Sequence, residues 1–270
     1  MAAGYETLIV EERGAVDWVT LNRPEALNAL NGAMVSDLRS YFRALADRPE
    51  RRIVVLKGAG RAFCAGLDLK QTPPPDRAAN KRTVHDGLRL QRGIAEIYLA
   101  MRRCPQPIIA LVHGPACGGG FSLALASDIR IAGKTARMNC AYIRIGLGGC
   151  DMGSSYFLPR LVGASLAAEL ILTGKFITAE RALRCGLVSD VVEDDALDAR
   201  AQEDIEYMLT NSPLGLRLSK EALNMNIDAG GLEAAIALED RNQILCAMTD
   251  DATEARDAFL QKRAPQYKDA

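Results

Sequence analysis

Histidine is almost missing from these 270 residues: there are two, His85 and His113. That excludes a metal site built from histidine alone and leaves little room for a histidine-based triad. The seven cysteines, at 64, 104, 117, 140, 150, 185 and 246, are odd in number and never spaced C-x-x-C. A disulfide framework and a cysteine-rich zinc site are therefore not expected, and free thiols in a reducing cytoplasm are. Neither sign of charge dominates: Lys plus Arg is 33, Asp plus Glu is 34, and the net charge is −1. A nucleic-acid partner, which needs a basic face, is not expected, although a small basic pocket for one phosphorylated ligand stays open. There is no long unbroken apolar run. Residues 108–126 carry no charge, but Gly114-Pro115 and Gly118-Gly119-Gly120 interrupt them. They read as strand, turn and helix rather than as a membrane span. The opening residues MAAGYETLIVEERG hold no basic stretch followed by an apolar one, so no secretory leader is expected.

What is present is an ordinary globular mixture, 49% hydrophobic and 25% charged. The length is enough for one large domain with its own core. Residues 7–10 and 16–21 read as a hairpin turning at Arg13-Gly14. Met34, Leu38, Phe42 and Leu45 recur at helical spacing within 31–46. Short buried strands are expected at 53–56, 108–112 and 128–132. A long helix is expected over 83–103, stopped by Cys104-Pro105. The segment 71–81, with three successive prolines, reads as a surface loop, possible cover for a ligand. Alternating strand and helix give an α/β class up to residue 192. From 193 to 270 only helical patterns follow: Leu197, Ala201, Ile205 and Met208 mark one helix and Pro213 opens another. The expected organisation is a core over 1–192 and a helical subdomain over 193–270.

Several familiar motifs fail. The pairs Gly58/Gly60, Gly118/Gly120 and Gly146/Gly148 are followed, where a dinucleotide fingerprint needs a third glycine, by Phe63, Leu123 and Asp151. Gly120-Phe121-Ser122-Leu123-Ala124 is close to a nucleophile elbow, yet both histidines precede Ser122. The plain alternative for Ser122 is a small helix residue under a glycine turn. Cys150 has no histidine nearby in sequence to activate it.

Two small-residue turns remain: 62–69, Ala-Phe-Cys-Ala-Gly-Leu-Asp-Leu, and 113–120, His-Gly-Pro-Ala-Cys-Gly-Gly-Gly. Each is read as a strand leading into a helix start. Amides at a helix start lack intrahelical partners and carry partial positive charge, and glycine lets another group come close. If the turns face each other, two N–H groups can converge on one oxygen, as a carbonyl turning into an enolate requires. Spacing alone leaves open the alternative of two unrelated tight turns.

Leu21-Asn22-Arg23-Pro24-Glu25-Ala26-Leu27-Asn28 and Phe63-Cys64-Ala65-Gly66-Leu67-Asp68-Leu69 carry a wider resemblance. So do residues 107–120, 128–132, 158–163, 172–174, 182–188 and 259–263. Together they cover nearly the whole chain, and the chain resembles the crotonase superfamily, the enoyl-CoA hydratase/isomerase family. The resemblance implies a crotonase-like spiral of ββα units with a helical C-terminal trimerisation subdomain, hence a homotrimer or dimer of trimers. It implies a coenzyme A thioester as ligand and no further cofactor. It assigns the oxyanion donors to the amides of Leu67 and Gly119. It lines the CoA moiety with residues 65–70, among them Ala65, Asp68 and Lys70. Arg23, Ala26 and Leu27 would flank the nucleotide, and Phe259 and Lys262 would reach it from the C-terminal region. Lys70 and Lys262 keep an alternative as solvated surface charges, Asp68 as a cap for the following helix. Asp128 reads as a structural acid bonding backbone at a strand start, and His113 as facing structure.

The chain departs from the hydratase pattern where that pattern carries two glutamates. Ser122 and Tyr142 stand in those positions. Neither accepts a proton as a carboxylate does, although a tyrosine can donate a hydrogen bond. Asp151 is the one acid left in the matching region; it is either a proton carrier or an N-cap for a helix starting near Met152. One base that takes a proton and returns it elsewhere suits double-bond migration better than hydration. Hydration, thioester hydrolysis through a water held by Asp151 or Tyr142, and acyl-CoA binding without catalysis are the alternatives.

Overall fold

A computed structural model describes residues 4–71 and 83–269. The proline-bearing segment read as a surface loop lies, save Gln71, outside the described residues. The hairpin is β1 (Leu8–Arg13) and β2 (Val16–Leu21), antiparallel and turned at Gly14 with φ +60°. α1 (Gly32–Ala44) starts where the Asn31 side chain accepts from the Met34 amide. β3 (Ile53–Gly58) follows, then α2 (Val84–Arg103), opened by reciprocal Thr83 and Asp86 capping bonds. Next come β4 (Ile108–Val112), β5 (Pro115–Cys117) and α3 (Gly119–Ala126). β6 (Ile129–Gly133), β7 (Arg137–Asn139), α4 (Ser154–Val162) and α5 (Ala164–Thr173) continue the chain. β8 (Ile177–Thr178), α6 (Ala179–Arg184) and β9 (Asp190–Val192) complete the strands. Four helices end it: α7 (Leu197–Leu209), α8 (Pro213–Asn226), α9 (Leu232–Ala247) and α10 (Asp250–Gln261).

The strands form a six-stranded sheet, β1-β2-β3-β4-β6-β9, and a small sheet, β5-β7-β8. Beyond the hairpin the large sheet is parallel. The chain climbs as a spiral: a large-sheet strand, a short strand in the second layer, then a helix. β4-β5-α3 is one complete turn, and β6-β7 with α4 is the next. Two earlier turns replace the short strand by isolated bridging residues, Leu30 in the first and Cys64 and Leu67 in the second. Leu30 pairs in parallel with Leu67, and Cys64 pairs in parallel with Ala116.

Parallel strands are covered on both faces and so read as near-continuous apolar runs. Val54, Leu56, Ile108, Ala110 and Val112 point into the larger core, with Met34, Leu38 and Phe42 of α1 and Ile97 and Met101 of α2. Alternate residues Ile53, Val55, Ile109 and Leu111 face a second core closed by Leu197, Ala201 and Ile205 of α7. Among the described residues no helix is long and apolar enough to cross a membrane.

Three local expectations are corrected. Residues 67–71, which follow Gly66, hold no helix start. Leu67 is held by its bridge to Leu30, and the Asp68 carboxylate accepts from the Lys70 and Gln71 amides in a turn of its own. Residues 115–117, read as part of a turn, form a strand paired with β7. The helix expected near Met152 starts at Ser154 with Gly153 as its cap residue, so Asp151 does not cap it.

Asp128 behaves as the structural acid it was read to be. It accepts from the Ile108 amide at 2.8 Å and meets Arg102 Nη1 at 3.0 Å. Its other partner is Lys220 Nζ at 2.9 Å. That ammonium, buried to 4% exposure, also donates to the Met101 and Gln106 carbonyls at 3.1 and 2.7 Å. One side chain thus ties α8 to α2 and to the base of the large sheet. Lys220→Met should cost about 3 kcal/mol, because it leaves buried acceptors without their cation. The thermal midpoint should fall by about 6–12 °C; an unchanged midpoint would remove Lys220 from this role.

Candidate active site

The two glycine turns meet because they lie on neighbouring turns of the spiral. β3 and β4 are adjacent in the large sheet, so the segments that leave them are adjacent in the second layer. The Cys64 amide donates to Pro115 O at 3.2 Å and the Cys117 amide to Cys64 O at 2.9 Å. Such an approach leaves no space for side chains. A Cβ on Gly120 would lie 2.1 Å from Cys64 O, and one on Gly66 2.6 Å from Cys117 O. That Gly66 Cβ would stand 3.6 Å from the nitrogen of Gly119. The amides of Leu67 and Gly119 find no acceptor among the described residues. Leu67 and Gly119 border one cavity of about 110 Å³. Gly119 is the first residue of α3, whose eight residues are all buried, so its amide carries the positive end of a desolvated helix.

The rest of the wall is apolar save for three side chains, Gln91, Tyr142 and Asp151. Asp151 is the only charged one among the described lining residues. Met152 and Gly153 adopt left-handed backbone, φ +47° and +83°, and that double turn aims Asp151 at the cavity. Asp151 Oδ1 accepts from the Met152 amide at 2.8 Å and from Gln91 Nε2 at 2.6 Å. Oδ2 has no donor among the described residues. Burial pushes the Asp151 carboxyl above the ordinary aspartate range, and the Met152 and Gln91 donors pull it part of the way back. Gln91, which sequence reading missed, is placed by helix periodicity. Gln91, Ile94 and Tyr98 share one face of α2. Gln91 and Ile94 border the cavity, and the Tyr98 hydroxyl donates to Gly119 O at 3.0 Å.

Ser122 and Tyr142 are brought together, with Ser122 Oγ 2.9 Å from the Tyr142 hydroxyl. Tyr142 borders the cavity; Ser122 lies behind it, 1% exposed. Burial drives the Tyr142 phenol well above its ordinary value, only partly relieved by Ser122. It is therefore a hydrogen-bonding neutral phenol and not a base. Burial likewise pushes the Cys64 thiol to about 12 and the Cys117 thiol to about 11, which leaves both inert at neutral pH.

The residues expected around a nucleotide are more scattered. Arg23 is occupied: its guanidinium meets Asp68 Oδ2 at 3.0 Å and the Ala29 carbonyl. Burial opposes ionisation of Asp68, but Arg23 and the Gln71 and Lys70 amides outweigh it and hold its carboxyl below the usual range. Ala65 borders the 110 Å³ cavity, and Lys70 is exposed just beyond it. Ala26 lies in a short 3-10 turn, and Leu27 opens onto a separate, larger cavity of about 910 Å³. That space is walled by cations, Lys57 and Arg61, and by acids, Asp194 and Asp198. His113 borders it too, with Nε2 2.9 Å from Gly60 O. Phe259 is 83% exposed near the end of α10 and Lys262 follows that helix in left-handed backbone. Neither borders the 110 Å³ cavity.

Gly66 has φ +92° as well as no room for a Cβ. Gly66→Ala is expected to cost about 2–3 kcal/mol through backbone strain and separation of the turns. A thermal midpoint equal to that of the parent chain would show that the turns are not locked together there.

With this geometry in view, comparisons with known proteins are specific. The profile described as Enoyl-CoA hydratase/isomerase matches residues 11–270. The 2,3-dehydroadipyl-CoA hydratase of Escherichia coli (strain K12) is 37% identical over 261 residues, covering 97% of this chain and 98% of that protein. The 1,2-epoxyphenylacetyl-CoA isomerase of the same organism is 34% identical over 262 residues, covering 95% of each. A crystal structure of enoyl-CoA hydratase from Bacillus anthracis superimposes with a TM-score of 0.90 at 32% identity, covering 98% of this chain and 100% of that one. The spiral, the abutting glycine turns and these matches agree: the chain belongs to the enoyl-CoA hydratase/isomerase family, within the crotonase superfamily.

Proposed function

We propose that this family member moves a double bond in an enoyl- or dienoyl-CoA thioester by proton transfer through an enolate. The observation that carries the reading is the placement of Asp151, the one charged group among the described residues on a cavity that also holds the open amides of Leu67 and Gly119. The thioester oxygen accepts from both amides. Negative charge gathering there as a C–H proton leaves is stabilised by about 3 kcal/mol per donor. Asp151 Oδ2 takes that proton and delivers it to the other end of the delocalised anion, so the site ends as it began. Tyr142, donating or accepting with Ser122, supplies polarity without competing as a base. Hydration needs a second group to activate water, and among the described lining residues no second carboxylate stands there. CoA runs from the cavity past Ala65 and Lys70, with Arg23, Ala26 and Leu27 flanking its nucleotide and Phe259 and Lys262 reaching it from the C-terminal region.

Asp151→Asn keeps an Oδ1 acceptor for Gln91 and Met152, so the variant should fold and lose about 10²–10⁴-fold in kcat. Isomerised product from the parent enzyme and its loss in the variant are expected on a panel of 2-enoyl, 3-enoyl and dienoyl thioesters. Full turnover by the variant, or release of only hydrated product or free CoA, would overturn the reading.

The raised Asp151 pKa fixes two signs. As a base it must be ionised, so kcat/KM should fall with acid through a limb lying above the ordinary aspartate value of about 3.9. Gln91→Leu removes a donor that favours the charged form, which moves that limb further up. The folded carboxyl also holds its proton more tightly than the unfolded one. Its contribution to stability is complete below the unfolded pKa and lost as pH rises through the folded pKa. Asp151→Asn should therefore match or exceed the parent's thermal midpoint at pH 7 and lose that advantage near pH 4. An acid limb that ignores both substitutions would exclude Asp151 as the base.

The assembly we propose is a homotrimer or dimer of trimers. Leu223, Ile244, Met248, Phe259 and Leu260, large apolar side chains of the C-terminal region, are 62–83% exposed in the single chain, and contact with neighbouring copies would cover them. Sedimentation should return three or six times 29.2 kDa; a mass of one chain would contradict it.

A further inference from the structure

Behind the cavity that holds Asp151 lies a second one. It is about 430 Å³, a cleft between α2 and α4 that opens to solvent where Leu99 and Tyr156 are 47% and 38% exposed, and it is lined also by Ala95, Tyr98, Phe157 and Asn224. One described residue borders both spaces, Met152. The residue is 9% exposed. Its backbone is pinned: φ is +47° and its amide bonds Asp151 Oδ1 at 2.8 Å. Only the side chain is free to respond, and methionine, unbranched with three rotatable bonds, moves aside more readily than other core residues.

The volumes give this partition a consequence. At about 30 Å³ per heavy atom, the volume share of a liquid water, 110 Å³ takes about four atoms of an acyl group. The space behind Met152 takes about a dozen more. Its wall is largely apolar, and the Tyr156 and Phe157 rings stand edge-to-face with centroids 5.2 Å apart. The charged group at its rim, Arg102, is engaged by Asp128 and lies 5.9 Å from the Phe157 ring.

We propose that Met152 sets acyl specificity: its side chain is a movable partition between the reaction cavity and an apolar compartment that takes medium-chain or aryl acyl tails. This rests on the function proposed above, since it assumes that the acyl group enters beside Leu67 and Gly119. A tail that displaces the Met152 side chain lies against Tyr98 and Phe157, while its reacting carbons stay beside Asp151. The residue whose amide fixes the proton carrier is thus also the end wall for the substrate.

The test compares thioesters with four-, eight- and twelve-carbon chains and a phenyl-bearing acyl group. Both kcat/KM and calorimetric Kd are measured for the parent enzyme, Met152→Ala and Met152→Leu. In Met152→Ala the preference for the eight-carbon and phenyl substrates over the four-carbon one should rise at least about tenfold in both measures, the scale of a few methylenes gained in an apolar pocket. Met152→Leu, close in volume, should leave it near the parent's value. Ala95→Phe, which fills the compartment from α2, should lower the preference at least about fivefold and gives the same answer should Met152→Ala not fold. Preferences unchanged within twofold in Met152→Ala and Ala95→Phe alike would overturn the proposal. If no thioester turns over, the Kd ratios still decide it, and the failure then belongs to the catalytic reading alone.

Discussion

The geometry on which the proposed chemistry rests depends on one backbone contact, the parallel bridge between Cys64 and Ala116. Cys64 sits after β3 and Ala116 within β5, so the bridge joins two successive turns of the spiral in the second layer. It is closed by the Cys64 amide on Pro115 O and the Cys117 amide on Cys64 O. Without it Leu67 and Gly119 would belong to separate loops. With it, two open amides stand on one small cavity. The sheet below is buried on both faces, so the bridge rests on a support that cannot shift without unpacking two cores.

Around that contact the side chains divide the work by their solvation. Tyr142 and Tyr98 are buried phenols whose protons are held tightly, and each uses its hydroxyl as a fixed polar strut, one to Ser122 and one to the Gly119 carbonyl. Asp151 is only half-buried, with one oxygen tied to two donors and the other facing the cavity. The proton-transfer role proposed for Asp151 calls for that intermediate condition: full burial would lock the carboxyl neutral, and full exposure would leave it a weak base. α2 supplies the strut to Gly119 and the donor to Asp151 from a single face, so amide turn and acid are held by one rigid element.

Much of this was legible in the sequence, and the limits have physical causes. The strands 53–56 and 108–112 showed as unbroken apolar runs because the sheet is covered on both sides. α1 showed its helical period, and α2 its stop at Cys104-Pro105. The glycine turns showed themselves by composition, and the clashes that a Cβ would meet at Gly66 and Gly120 explain why glycine stands there. Three features were hidden. β5 is three residues long, shorter than any periodicity can reveal. The helix expected after Gly66 is replaced by a turn, because Asp68 can cap a turn as well as a helix and Arg23, 45 residues away, holds it in place. Gln91 and Met152 gave no signal. A glutamine on a helix and a methionine after an aspartate are unremarkable until the spiral brings α2 and the turn before α4 to one cavity.

The most direct test is spectroscopic and needs no turnover. An acyl-CoA labelled with ¹³C at the thioester carbonyl, bound to the protein, should show its C=O stretch displaced to lower frequency than in water, as two amide donors polarise that bond. A carbonyl band unmoved by binding would mean that the amides of Leu67 and Gly119 do not hold the thioester oxygen.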